Sequence, residues 1–484
     1  MKNRTISTGK EHLQGISTYL FPLCFVFSAL LNLVFFYLGF AYEENAVRKY
    51  GFILGCVLFA VLSGLALLAV LRDRKVPLRT WVLWSVVMLF FAVCLGVGFL
   101  KFGLHKAWLQ YVEEYVVLSV PAFFAGICGA LRKGERVFFP TLESFSFLAF
   151  PAALMYANSV VFNCLPWNYG ADLGILNYMT LAYTFMPFLL AHLVCFCEKA
   201  DWNTPFSRKA VRRPQLLRGV FIAVYWVAIV ASATRGVYVC VAGFCVLLVL
   251  SKVIGRETSA KPIFLVSLSM AALLLFNVFI YAPPGMYRLS RVNIFLDGLK
   301  EGQLITTEED AAVSNLIDEL VQADGNQQVT NRPGTDSADP TEPQNDIASE
   351  NLQIGSRGTL FKLSIKEFLK EPVFGMGASG YMLKYGLYPH NVILELLCET
   401  GLVGTLVLMP ILLYAVIRIF LASRKQKEDL YLFLFFVAYA IEGNMNSCLW
   451  KFPALLCALG YGLTVVLPGK QPPGGEGAQA IEAE

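Results

Sequence analysis

His390 is the residue in this chain best suited to move a proton. It stands in Tyr-Pro-His-Asn, where a long polar segment returns to an apolar run. Imidazole titrates near neutrality, so a histidine at such a boundary can take a proton from an attacking hydroxyl. The other histidines sit elsewhere: His12 in the N-terminal tail, His105 beside Lys106, and His192 inside an apolar run. Two arginines complete the set. Arg235 lies in Ser-Ala-Thr-Arg-Gly between two apolar runs, and Arg357 in Gly-Ser-Arg-Gly-Thr-Leu. A guanidinium grips phosphate oxygens bidentately. Two of them with a histidine could hold a phosphorylated donor while a hydroxyl attacks it. Each residue also has a plainer reading. Arg235 could snorkel to phospholipid headgroups, Arg357 could be a solvated loop charge, and His390 could be a polar residue at a helix start.

Such residues need elements to hold them, and composition says which. Of 484 residues, 56% are hydrophobic and 15% charged, where a soluble protein carries roughly a quarter charged. The apolar residues fall into blocks of about 20, the length of a helix that crosses a bilayer. Each block must be helical, because lipid offers no partner to a free amide. The chain is therefore expected to be an all-α integral membrane protein with about twelve transmembrane helices. They fall near 17–41, 51–71, 80–100, 112–131, 138–162, 173–197, 216–233, 236–251, 262–282, 400–421, 430–444 and 449–467. The fifth is interrupted by Pro140, Glu143 and Pro151, and the N-terminal run is too long for a cleaved signal.

Orientation follows from Lys and Arg in short loops, which stay in the cytoplasm. With the N-terminus inside, the inner segments hold 23 such residues and the short outer loops six. Both termini are thus expected in the cytoplasm. The chain divides into helices 1–9 (1–282), one large external loop between spans 9 and 10 (283–389), helices 10–12 (390–468) and a cytoplasmic tail (469–484). From Asp297 to Glu350 the loop has thirteen Asp or Glu against Lys300 and Arg332, and 324–349 has almost nothing to bury. That stretch is expected to be disordered. Leu360 to Leu369 has the spacing of an amphipathic helix, and Pro372, Gly375, Gly377 and Gly380 force turns after it. This topology puts Arg235, Arg357 and His390 on one face, the outer one.

Most of the twelve cysteines sit in apolar blocks, and only Cys195 and Cys197 are close neighbours; no metal site is expected. A net charge of +4 is too small to suggest nucleic acid.

The run Pro389-His-Asn-Val-Ile-Leu-Glu-Leu-Leu-Cys-Glu-Thr-Gly-Leu-Val-Gly resembles the signature of the O-antigen ligase and O-antigen polymerase superfamily. There a His-Asn pair opens a helix and a Glu-x-Gly-x-x-Gly follows; His390, Asn391, Glu399, Gly401 and Gly404 keep that register. Arg357 to Gly380 is similar to the segment between the family's loop arginine and its glycine-rich turn. Ser-Ala-Thr-Arg-Gly is similar to its Ser-x-Ser-Arg-Gly. The resemblance covers about 216–421. Two departures weaken the match at Arg357: Leu360 lies three residues on where four is usual, and the acidic insertion is unexpected.

The resemblance implies a membrane-embedded, inverting glycosyltransferase of the bacterial cytoplasmic membrane. Its donor would be a glycan on undecaprenyl pyrophosphate at the outer leaflet, and its acceptor a glycan, lipid or protein. Arg235 and Arg357 would bind the pyrophosphate and His390 would be the base. Asn391 and Glu399 would orient it or bind sugar. No cofactor is implied, and no Asp-x-Asp suggests a divalent cation. The shared residues leave polymerase and ligase open, with polymerase preferred as the more widespread branch. The rival from another class is a flippase for lipid-linked oligosaccharides or another transporter. Those place polar sites near the midplane, where Asn32, Asn158, His192 and Asn277 form no obvious set.

Overall fold

The computed structural model describes residues 19–40, 46–73, 76–132, 135–161, 178–198, 215–232, 234–255, 257, 260–279, 357–424, 426–446 and 448–467. Every regular element among them is helical. The first ten helices are α1 (Phe27–Tyr37), α2 (Ala46–Asp73), α3 (Leu78–Phe102), α4 (Lys106–Glu114), α5 (Val120–Leu131), α6 (Glu135–Val161), α7 (Tyr178–Glu198), α8 (Gln215–Ala231), α9 (Arg235–Ile254) and α10 (Ala260–Phe279). From residue 357 onward come α11 (Arg357–Lys370), α12 (Gly380–Tyr385), α13 (Val392–Ser423), α14 (Lys427–Asn446) and α15 (Pro453–Thr464).

Each expected span coincides with a helix. Among the described residues seven are long and apolar enough to cross a membrane: Lys49–Arg72, Leu78–Phe102, Trp108–Leu131, Val137–Ala157, Leu181–Glu198, Gly236–Ile254 and Val392–Ser423. Phe27–Tyr37, Gln215–Val230, Ala260–Leu275 and Pro453–Thr464 are apolar but shorter. The fifth span is one continuous helix despite Pro140 and Pro151. Proline is tolerated there because neighbouring helices and side chains satisfy what it frees. The amphipathic helix is longer than its apolar pattern, running from Arg357 to Lys370. The expected disordered stretch, 324–349, lies outside the described residues, as does the C-terminal tail.

The bundle has a polar interior that hydropathy conceals. Glu143 on α6, His192 on α7 and Arg218 on α8 are all buried. Arg218 Nε donates to Glu143 Oε1 at 3.0 Å, and His192 Nδ1 lies 3.2 Å from the same oxygen. His192 Nε2 faces Ser146 Oγ at 2.8 Å, and Tyr225 donates to the Ser146 carbonyl. Taken in sequence order, His192 is an isolated polar residue and Arg218 a cation near the start of an apolar run. Folding makes them one cluster that ties three helices.

Two further cations, Lys252 near the end of α9 and Arg418 in the last turns of α13, are also buried. Lys252 meets Glu198, Glu257 and Tyr431. Arg418 donates to the carbonyls of Gly462 at 2.8 Å and of Val465, where the end of α15 leaves acceptors without helical partners.

Candidate functional site

The site begins at a helix that breaks. Within α13, Gly401 has φ 65° and ψ −165°, a conformation that only glycine adopts readily. The break leaves backbone groups on both sides without helical partners. The turn after α11 satisfies them: Leu402 N donates to the Pro372 carbonyl at 2.8 Å and Val403 N to that of Val373 at 3.1 Å. In return Met376 N donates to Cys398 O and Gly377 N to Glu399 O, both at 2.9 Å. Irregular backbone survives in a crossing helix when protein closes its hydrogen bonds in this way. Lys101 of α3 holds the turn from the other side, pairing with Glu371 and donating to the Gly375 carbonyl at 3.0 Å.

A Cβ on Gly401 would lie 2.5 Å from Val373 O and 2.6 Å from Gly375 N. Gly401→Ala therefore combines backbone strain with a backbone clash, each about 1–3 kcal/mol. The expected result is a thermal midpoint several degrees below wild type in detergent. A midpoint within one degree would show that the turn yields and that the break is not held by it.

The break defines a first half of α13, residues 392–400, and His390 lies just before it. His390 has φ 55°, a left-handed backbone uncommon outside glycine, and its ring centroid is 4.2 Å from that of Tyr388. Asn391 starts the helix, its Oδ1 accepting from Leu394 N at 2.9 Å while its Nδ2 donates to the Asn444 carbonyl at 3.0 Å. Asn391 thus fixes the backbone beside His390 and ties it to the end of α14.

Arg235 begins α9, which runs antiparallel to α14. At one end Lys252 meets Tyr431; at the other, a Cβ on Gly236 would lie 3.5 Å from Met445 Cβ. The start of α9 and the His390–Asn391 pair therefore both abut the last turn of α14. Arg357 begins α11, whose next turn docks on the first half of α13 through Leu360, Leu363, Met376, Tyr381 and Cys398. Tyr381 donates to the Leu360 carbonyl at 3.0 Å. Glu367 anchors the far end, accepting from Tyr385 at 2.7 Å and from Lys370 at 3.0 Å, with Lys384 at 3.3 Å. Burial pushes its carboxyl up, but these hydrogen bonds and the lysine charges outweigh that and hold it below the usual range. Its stabilising contribution is present above the unfolded value near 4.3 and is lost as pH falls through the folded one.

All three candidates thus stand at helix N-termini, where amide groups and the macrodipole favour an anion. The Arg235 and Arg357 side chains lie outside what the structure describes; their backbone positions are those given above.

Two acidic residues that sequence reasoning undervalued lie beneath His390. Glu395 accepts from Leu449 N at 2.5 Å and from Cys448 Sγ at 2.9 Å. Glu399 accepts from Trp450 Nε1 at 2.7 Å, and the Trp450 ring packs on Phe91 and Tyr111. The pair pins the α14–α15 connection to the first half of α13. Their four-residue spacing was the available signal, since it puts both on one helix face. Glu442, two residues before Asn444, was also missed. Its Oε2 is buried with no hydrogen-bond partner among the described residues.

Comparison with known proteins gives one match. The family model described as O-antigen ligase matches residues 220–409, a stretch from α8 into α13 that contains Arg235, Arg357, His390, Asn391, Glu399 and Gly401. No curated protein and no solved structure matches the chain.

Proposed function

We propose, from the O-antigen ligase domain at residues 220–409 that assigns this chain to the O-antigen ligase and polymerase superfamily, that it is an inverting glycosyltransferase using a polyprenyl-pyrophosphate glycan. The coarser statement already follows from the match and the crossing helices: a multi-pass membrane protein of glycan ligation or polymerisation. The finer one is supported chiefly by one observation. The start of α9 and the His390–Asn391 pair abut the same turn of α14.

In the proposed reaction an acceptor hydroxyl attacks the anomeric carbon. The bond from that carbon to the pyrophosphate oxygen breaks on the opposite face, so the configuration inverts. The hydroxyl proton passes to the His390 imidazole. Polyprenyl pyrophosphate leaves with its growing negative charge met by Arg235 and Arg357, whose guanidinium groups need no metal for that task. Asn391 orients His390 through the backbone. The site opens outward from a chain of about twelve crossings, both termini inside, in the bacterial cytoplasmic membrane. The acceptor is a second repeat unit, a lipid or a protein.

Lipid-linked glycans in a deletion strain, profiled by mass spectrometry, test this reading and separate its branches. Single repeat units should accumulate if a polymerase is lost, and intact long chains if a ligase is lost. An unchanged profile would sink both.

The orientation carries its own test. Cysteines placed singly at 208 and 330 in intact cells, treated with an impermeant thiol reagent, should label only at 330. Labelling at 208 alone would invert the topology and remove the site from the outer face.

A further inference from the structure

Helix α11 has three faces. Leu360, Leu363 and Glu367 are buried against α12 and α13. Lys362, Lys366 and Lys370 recur every four residues and so stack along a second face. The third face is apolar and uncovered, with Ile365 48% and Leu369 67% exposed. The chain then continues into Val373 and Phe374, 51% and 67% exposed. Their position is fixed, because Val403 N donates to the Val373 carbonyl. That bond sets them beside Leu402, Val403 and Leu406, exposed apolar residues of the crossing helix α13. The uncovered face of α11 is thus continuous with a lipid-facing surface. The acids nearby are already engaged: Glu367 by Lys370, Lys384 and Tyr385, and Glu371 by Lys101. The lysine face is left net positive.

We propose that α11 is an interfacial helix seated on anionic phospholipid of the outer leaflet. Ile365, Leu369 and Phe374 enter the acyl boundary, and Lys362 and Lys366 engage the headgroups. A basic amphipathic helix binds a bilayer surface in this manner. The seating sets the height of Arg357, the first residue of the helix, at the level where a lipid-linked phosphate stands. The inference rests on the outward placement of this end of the bundle, and it adds a lipid-surface site to the reaction above.

The test uses the full-length chain in nanodiscs, with nitroxide labels placed singly at positions 362, 365, 369 and 374. The described native cysteines are buried, and Cys164, outside the described residues, is replaced by serine. Power saturation then compares access to oxygen with access to a nickel chelate. Labels at 365, 369 and 374 should favour oxygen, and the label at 362 the chelate. With phosphatidylglycerol present, Lys362→Glu and Lys366→Glu should each shift the bound-to-solvated ratio about fivefold towards water; in phosphatidylcholine alone they should have little effect. Chelate access at 365, 369 and 374 equal to that at 362 would overturn the seating. Indifference to both lysine changes would overturn recognition of anionic lipid. Glycosyl transfer by the unlabelled chain in the same discs is scored separately. Transfer without the label pattern removes this inference alone, and the label pattern without transfer removes only the enzymatic reading.

Discussion

His390→Ala should leave binding of the lipid-linked donor nearly intact and lower turnover by about 10²–10⁴-fold, the usual contribution of a general base. Arg235→Ala and Arg357→Ala should behave differently. Each proposed arginine makes charge-assisted hydrogen bonds worth about 1.5–3 kcal/mol, so each loss should cost roughly ten- to a hundredfold, in donor binding as well as in turnover. Lysine should rescue poorly, because an ammonium cannot reproduce the planar fork. The contrast tests the roles, since general damage to the fold would lower every quantity together. It can be read from purified variants in lipid, with donor affinity and turnover measured apart. If His390→Ala weakened donor binding as much as the arginine changes, His390 would be a third phosphate contact and the base would lie elsewhere.

Arg218→Leu should be strongly destabilising. It strips the guanidinium from Glu143, buried on α6, and leaves that carboxylate to His192 and the Cys195 thiol. Breaking one side of a buried pair costs about 3–5 kcal/mol, which corresponds to a fall of roughly 5–15 °C in thermal midpoint. Adding Glu143→Leu should restore most of that loss, because two apolar side chains carry no desolvation debt. Recovery in the double variant is the outcome that identifies a charge effect. If the single change moved the midpoint by less than about 2 °C, or if the double variant were no better than Arg218→Leu, the ion pair would not be what holds α6, α7 and α8 together.

What the sequence disclosed and what it hid follow the same physics. Helix positions were legible because apolar length has one explanation in lipid, and every expected span has a helix on it. The tenth span was drawn from 400, where α13 breaks at Gly401, while the His-Asn pair expected to open a helix does stand before its first turn at Val392. Hydropathy registers the polar residues around a break as an end. His390, Arg235 and Arg357 stood out because a polar residue at a membrane boundary needs a reason. Their positions at helix starts were legible one by one, but the meeting of the starts of α9 and α13 at the last turn of α14 was not, since it depends on which helices pack together. Glu143, His192 and Arg218 escaped for a related reason. They lie 49 and 26 residues apart in order, and only the packing of α6, α7 and α8 makes them partners. Asn391 shows how a role changes once partners are visible: both of its polar side-chain atoms contact backbone, at Leu394 and Asn444.

Reconstituted turnover tests the central claim most directly. The purified chain in lipid is given a polyprenyl-pyrophosphate glycan and an acceptor, and the anomeric configuration of the product is read by proton NMR as polyprenyl pyrophosphate is released. The account predicts transfer with inversion, in stoichiometric step with that release, and its loss in His390→Ala. Release with retention of configuration, or movement of the intact donor across the bilayer with no new glycosidic bond, would contradict it.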